Sequence, residues 1–148
     1  MMKLETQWIV GFVDGEGCFH VGIAKNHTYK MGYQVLPEFV ITQHERDIKL
    51  LHQLKSFFGC GVVRKSNKNC YCYRVRNLSH LAEIILPFFE KHQLKTFKKV
   101  DFLKFRKVVR FMKVNKHLTE EGLEEIRKIR AKEFKIESSS LREEERDN

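Results

Sequence analysis

Ile9-Val10-Gly11-Phe12-Val13-Asp14-Gly15-Glu16-Gly17 occurs once in this chain of 148 residues, and the rest of the sequence is best read outward from it. Gly11 and Gly15 stand four residues apart, so on a helix they share a face and leave it nearly bare. A bare face lets a second helix approach backbone to backbone, the small-residue logic usually met in membranes. This segment is too short and too acidic to span a bilayer. Asp14 and Glu16 fall at its C-terminal end, where the helix dipole disfavours anions. Carboxylates placed there against local preference point to a cation to be held. The plainer alternative is a helix end running into a turn, because Asp-Gly and Glu-Gly are ordinary turn dipeptides.

Residues 4–15 therefore read as a helix, and from Cys18 the period changes to two. Phe19, Val21 and Ile23 take one face, while Cys18, His20, Gly22, Ala24 and Asn26 take the other. A polar turn, Lys25 to Gly32, leads to a second strand with Val35, Pro37, Phe39 and Ile41 on its apolar side. Pro37 cannot donate to a ladder, which predicts an edge strand or a bulge there. Thr42-Gln43-His44-Glu45 has the form of a capping box opening a helix. Ile48, Leu51, Leu54 and Phe58 give that helix its stripe, and Gly59 stops it.

Val62 to Ser66 and Cys70 to Val75 flank the turn Asn67-Lys68-Asn69 and read as a hairpin. Leu78 to Leu86 reads as a short helix ended by Pro87. Thr96 to Val114 reads as a longer one with Phe97, Val100, Leu103 and Val108 inward. Thr119 to Ile136 predicts a last helix, and Glu137 to Asn148 a charged, Ser-rich, disordered tail. The order repeats a helix followed by two strands. It predicts an α+β fold: a four-stranded antiparallel sheet with helices on one face and the other left for a ligand.

Composition narrows what that ligand is. Residues 1–118 carry 21 Lys and Arg against 9 Asp and Glu, a net of +12, and residues 119–148 a net of −3. So basic a body points to a polyanion, most commonly nucleic acid, against the bland alternative of lysines kept for solubility. The polar strand faces mix Gln, Glu, His, Arg and Tyr, side chains able to read base edges. No apolar run is long enough for a membrane span. The start of the chain lacks a signal-peptide pattern, which predicts a protein acting where it is made. Cys18, Cys60, Cys70 and Cys72 make no zinc pattern, since Cys70-x-Cys72 is one residue short and no second pair follows; reduced thiols are expected.

Residues 9–17 resemble, in register, the signature of the LAGLIDADG homing endonucleases. The similarity extends over roughly residues 4–115, with alternating strands, a Thr42-Gln43 before a helix and a Leu94-Lys95 before a basic helix. Val10 departs from the family's usual small residue. The resemblance is to small single-motif, homodimeric members from algal organelles. It implies an αββαββα fold in one domain over residues 1–136, whose sheet forms a saddle on DNA. It places His20, Asn26, Gln34, Glu38, Arg64, Ser66, Tyr71 and Tyr73 toward the duplex. Arg64 could pair with guanine, Gln34 with adenine, and Glu38 could accept from cytosine. In the last strand, Arg74 and Arg76 compete with Tyr71 and Tyr73 for that face.

The resemblance also supplies the chemistry. Glu16 matches the metal-binding carboxylate, with the Gly15 carbonyl as a second ligand for Mg²⁺ or Mn²⁺ and no small-molecule cofactor. Gln43 would position the attacking water, and Lys95 would stabilise the phosphate or help activate that water. An arginine common in this shell has no clean match; Arg46 lies one position away. One motif per chain implies a twofold homodimer, with Gly11, Phe12, Asp14 and Gly15 at the helix pair. The expected activity is double-strand cleavage at a long, roughly palindromic site. The expected setting is a group I intron of an organelle, the chloroplast before the mitochondrion. An RNA-binding intron maturase and a non-catalytic DNA-binding protein on the same scaffold are the rivals. The joint presence of Glu16, Gln43 and Lys95 speaks against both.

Overall fold

A computed structural model describes residues 3–131, so the tail expected over 137–148 and the end of the last helix lie outside the described residues. Helix α1 spans Thr6–Glu16 and runs directly into strand β1, Gly17–Lys25. Strand β2 is Tyr33–His44, helix α2 Ile48–Phe58, and the hairpin strands β3 and β4 are Val62–Asn67 and Cys70–Val75. A helix over residues 78–91 (α3), helix Lys98–Lys113 (α4) and a helix over residues 120–131 (α5) complete the described chain. The four strands form one antiparallel sheet in the order β1-β2-β4-β3. This is the α+β architecture expected.

One face of the sheet is sealed by helices. Val21, Val35, Phe39, Ile41 and Val75 point inward and join Ile9, Val13, Leu51, Leu54, Leu81, Ile85, Phe105 and Val108 in a single core. Phe19 is its hub, with its ring within 5.1–5.6 Å of those of Phe39, Phe89, Phe102 and Phe105. Stacked and edge-on ring pairs of this kind add about 0.5–1.5 kcal/mol each beyond the area they bury.

Several local expectations are corrected. Thr42 caps no helix: β2 continues through it to His44, whose Nδ1 accepts from the Arg46 N–H and opens a 3₁₀ turn over Glu45–Asp47. Pro37 is not on an edge strand, because β2 is central. β4 pairs only with Phe39 to His44, however, so Pro37 sits where that flank of β2 has no partner. Pro87 does not end α3. The π-helical segment Leu81–Ile85 precedes it, and that wider winding admits the ring without a clash four residues back. In α4, Val108 is buried as expected, together with Phe102, Phe105, Val109 and Met112, whereas Phe97, Val100 and Leu103, expected inward, are exposed.

Candidate active site and nucleic-acid interface

Among the described residues no element packs on the outer face of the sheet, and register fixes which residues share each row across it. His20 pairs with Glu38, Cys18 with Val40, and Ala24 with Gln34. Val40 pairs with Arg74 and Thr42 with Cys72; Arg74 pairs in turn with Val62, and Cys72 with Arg64. Ser66 is exposed beside the register shift between Lys65 and Asn67. Asn26 and Gln34, at the far end, are joined by a 3.4 Å hydrogen bond from Nδ2 to Oε1. His20, Gln34, Glu38 and Arg64 thus share this open face, Asn26 joins it through its bond to Gln34, and Ser66 lies at the irregularity, where no pairing fixes its side.

Tyr71 and Tyr73 do not. Tyr73 is fully buried, and its hydroxyl donates to the Cys60 carbonyl at 2.8 Å. Burial pushes that phenol well above its ordinary pKa, so it stays a donor. Tyr71 has the same parity and packs partly buried against the core. A tyrosine can go inward when its hydroxyl finds a partner, whereas an arginine cannot. Arg74 and Arg76 therefore take the outer positions. Gly61, at φ 89°, makes room for this choice: a Cβ there would lie 2.7 Å from the Tyr73 ring.

The other cluster forms where α1 meets the sheet. A Cβ on Gly17 would stand 2.6 Å from Val13 Cγ1, so glycine is what allows β1 to start hard against the last turn of α1. Gly17 pairs with Ile41, which brings the Thr42-Gln43 end of β2 alongside Glu16. The Glu16 side chain is exposed and has no hydrogen bond or ion pair within the described residues. The carbonyl of Gly15 is among the last four of the helix, which no helical N–H follows. Gln43 is half-buried at the strand end.

Lys95 reaches this cluster through Asp14. The Asp14 carboxylate accepts from the Lys95 N–H at 2.8 Å, from the Thr96 N–H at 3.1 Å and from Thr96 Oγ1 at 2.9 Å. Burial alone would raise the Asp14 pKa. The hydrogen bonds from Lys95 and Thr96, with the Lys95 charge, outweigh it and hold the carboxyl below its ordinary value. The carboxylate that looked misplaced at the end of α1 thus caps the approach to α4. Leu94 is buried, and the Lys95 side chain stands exposed on the turn so fixed.

Lys98, which sequence reasoning passed over, donates from Nζ to the Gly17 carbonyl, next to Glu16. Its only signal was a lysine in the first turn of a helix, against the dipole. Among the described residues no group of three or more His, Cys, Asp or Glu could hold a metal alone. One exposed carboxylate and one free carbonyl suit a hard cation that keeps waters and phosphate oxygens as its other ligands.

Among the described residues, a Cβ built on Gly11 or Gly15 meets nothing within 4 Å, and Trp8 stacks on Phe12 along the same outer side of α1 with ring centroids 5.0 Å apart. Val10 belongs to the opposite, buried side, so its bulk does not touch the glycine face.

Comparison with known proteins agrees with this arrangement. The LAGLIDADG endonuclease family pattern matches residues 9–109. "Probable intron-encoded endonuclease 2" of Neurospora crassa is 42% identical over 130 residues, covering 86% of this chain and 29% of that protein. "DNA endonuclease I-CeuI" of Chlamydomonas moewusii is 33% identical over 87 residues, 57% of this chain and 40% of that one. The chain thus spans well under half the length of the curated relatives it matches. Among solved structures, the homing endonuclease I-TnaI has 56% identity and a TM-score of 0.84, with 86% of each chain covered. I-SmaMI bound to uncleavable DNA has 43% identity and a TM-score of 0.85, covering 86% of this chain and 43% of that one. I-SmaMI has also been solved on uncleaved DNA in the presence of calcium ions, at 44% identity. The chain belongs to the LAGLIDADG endonuclease family.

Proposed function

We propose that this chain is a homing endonuclease that cuts both strands of a long, roughly palindromic DNA site as a twofold dimer. The observation that carries the reading is the exposed Glu16, whose carboxylate has no partner among the described residues, at the junction of α1 and the sheet, with Gln43 and Lys95 beside the same junction and the polar face of the sheet above it. A divalent cation, Mg²⁺ or Mn²⁺, held by the Glu16 carboxylate and the Gly15 carbonyl, would neutralise charge on the scissile phosphate and acidify a bound water. The chain's own groups do the rest. Gln43 hydrogen-bonds and orients the attacking water. The Lys95 ammonium faces the phosphate as negative charge builds on it. Asp14 keeps Lys95 at its station, and Lys98 clamps the start of β1 on which Glu16 depends.

The dimer supplies the second active site. The bare Gly11 and Gly15 face fits a copy of itself, and closed twofold pairing is the commonest assembly. Of the solved relatives, I-SmaMI has a chain more than twice the matched length, whereas 86% of the I-TnaI chain is matched. An organellar setting is supported by relatives named for the ND4 and cox1 introns of fungi; nothing favours the chloroplast. Among the described residues no helix is long and apolar enough to cross a membrane.

Incubating the protein and Mg²⁺ with a randomised duplex library, then sequencing the cut ends, tests the whole reading. A single long motif with mirrored halves is expected. Intact duplexes in both Mg²⁺ and Mn²⁺, with binding retained, would favour the non-catalytic reading.

A further inference from the structure

On the open face of the four strands Glu38 is the only carboxylate, and a face meant for a polyanion should not carry one unanswered. It is answered. Glu38 Oε2 accepts from Arg76 Nε at 2.7 Å, with the glutamate side chain 19% and the arginine side chain 56% exposed. Val75 pairs with Phe39, so Arg76 follows one step on, in the row that already holds Glu38 and His20. Glu38 therefore does not stand free to accept from cytosine, as its residue type had suggested. Its partner has the more telling geometry.

A guanidinium presents five N–H donors in a rigid plane. Engaging Nε with a carboxylate fixes that plane and leaves the two Nη groups at its outer end. Those two can donate in parallel to O6 and N7 of guanine, the commonest bidentate contact in the major groove. The carboxylate also removes rotamer freedom before binding, which raises affinity by lowering the ordering penalty. An unbraced surface arginine would instead meet any phosphate within reach.

We propose that Arg76, braced by Glu38, reads a guanine once in each half-site. Glu38 lies four residues along β2 from Thr42, at the active-site end of the sheet. At ~3.3 Å per strand residue and 3.4 Å per base-pair step, the guanine lies about four base pairs out from that end. The inference rests on the endonuclease reading above and adds a base, a position and a residue to it.

The experiment compares base preferences of the wild type, Arg76→Ala, Arg76→Lys and Glu38→Ala, cut against the same randomised duplex library in Mg²⁺. The wild type should select guanine at one mirrored pair of positions about four base pairs out. Both Arg76 variants should lose that preference and keep the others, with affinity for the selected duplex lowered roughly ten- to hundredfold in Arg76→Ala. Arg76→Lys keeps the charge and serves as the folding control. Glu38→Ala should blur the preference at the same positions while binding non-specific DNA more tightly. An unchanged profile in Arg76→Ala, with site-specific cutting intact, overturns the Arg76 assignment alone. So does a uniform loss of affinity with a salt slope shallower by about one, the mark of a phosphate contact. A wild type that cuts with no preferred sequence sinks the site-specific reading together with this one.

Discussion

The Asp14 carboxylate and the Lys95 main-chain N–H, 81 residues apart in sequence, are joined at 2.8 Å, and this bond ties the motif helix to the turn that presents the basic residue. Asp14→Ala should therefore slow cleavage through Lys95 and loosen the fold together. Loss of a partly exposed, charge-assisted hydrogen-bond set is worth about 1–2 kcal/mol. Asp14→Asn, which keeps one accepting oxygen, should fall between. Acid should mimic the substitution. The folded-state pKa of Asp14 is depressed, so its stabilisation is present above the ordinary carboxylate range near ~4 and fades as pH drops through the folded value. Urea midpoints measured from pH 5 down to pH 3 should fall more steeply for the wild type than for Asp14→Asn. Parallel curves would mean that the carboxylate charge contributes nothing there.

Glu16→Gln should abolish cleavage and leave DNA affinity nearly unchanged, because the amide keeps the shape and removes the charge. Gln43→Ala and Lys95→Met should each slow cleavage by at least ~10²-fold, the lower range for positioned catalytic groups. Single-turnover rates on the selected duplex, set beside equilibrium binding, separate the two effects. Equal losses of binding and rate in Glu16→Gln would make that residue structural.

Binding should weaken steeply with salt. The net charge of +12 over residues 1–118 must displace condensed counterions, and several phosphate contacts per subunit predict a log–log slope steeper than about −5. Fluorescence anisotropy from low to moderate salt measures it. A flat response would remove nucleic acid from consideration.

Legibility in the sequence followed burial. In β1 and β2 one face is sealed, so Phe19 and Val21, then Val35 to Ile41, alternate cleanly and the outer residues follow from them. β4 alternates Tyr with Cys and Arg, all of them amphipathic or small, and only the Cys60 carbonyl settles which way Tyr73 turns. α4 carries apolar residues on two sides, and the exposed set Phe97, Val100 and Leu103 keeps helical spacing as well as the buried one. Arg76 and Lys98 gain their roles from partners 38 and 81 residues away, a relation that no local pattern records.

The last prediction concerns assembly. Among the described residues, a Cβ added to Gly11 or Gly15 meets no atom within 4 Å. Gly11→Leu should therefore leave the subunit fold intact and fill the space a second α1 would occupy. Replacing glycine inside a helix even favours the isolated helix by about 1 kcal/mol. Dimerisation and double-strand cleavage should fall together, while circular dichroism and thermal unfolding of the variant stay native-like. Two sheets end to end would cover about 20 base pairs, taking ~3.3 Å per strand residue and 3.4 Å per step, so the footprint should halve as well. Analytical ultracentrifugation of both proteins, free and on the selected duplex, decides the matter. Wild-type protein that sediments as a monomer in both states, yet cuts both strands, would overturn the twofold arrangement.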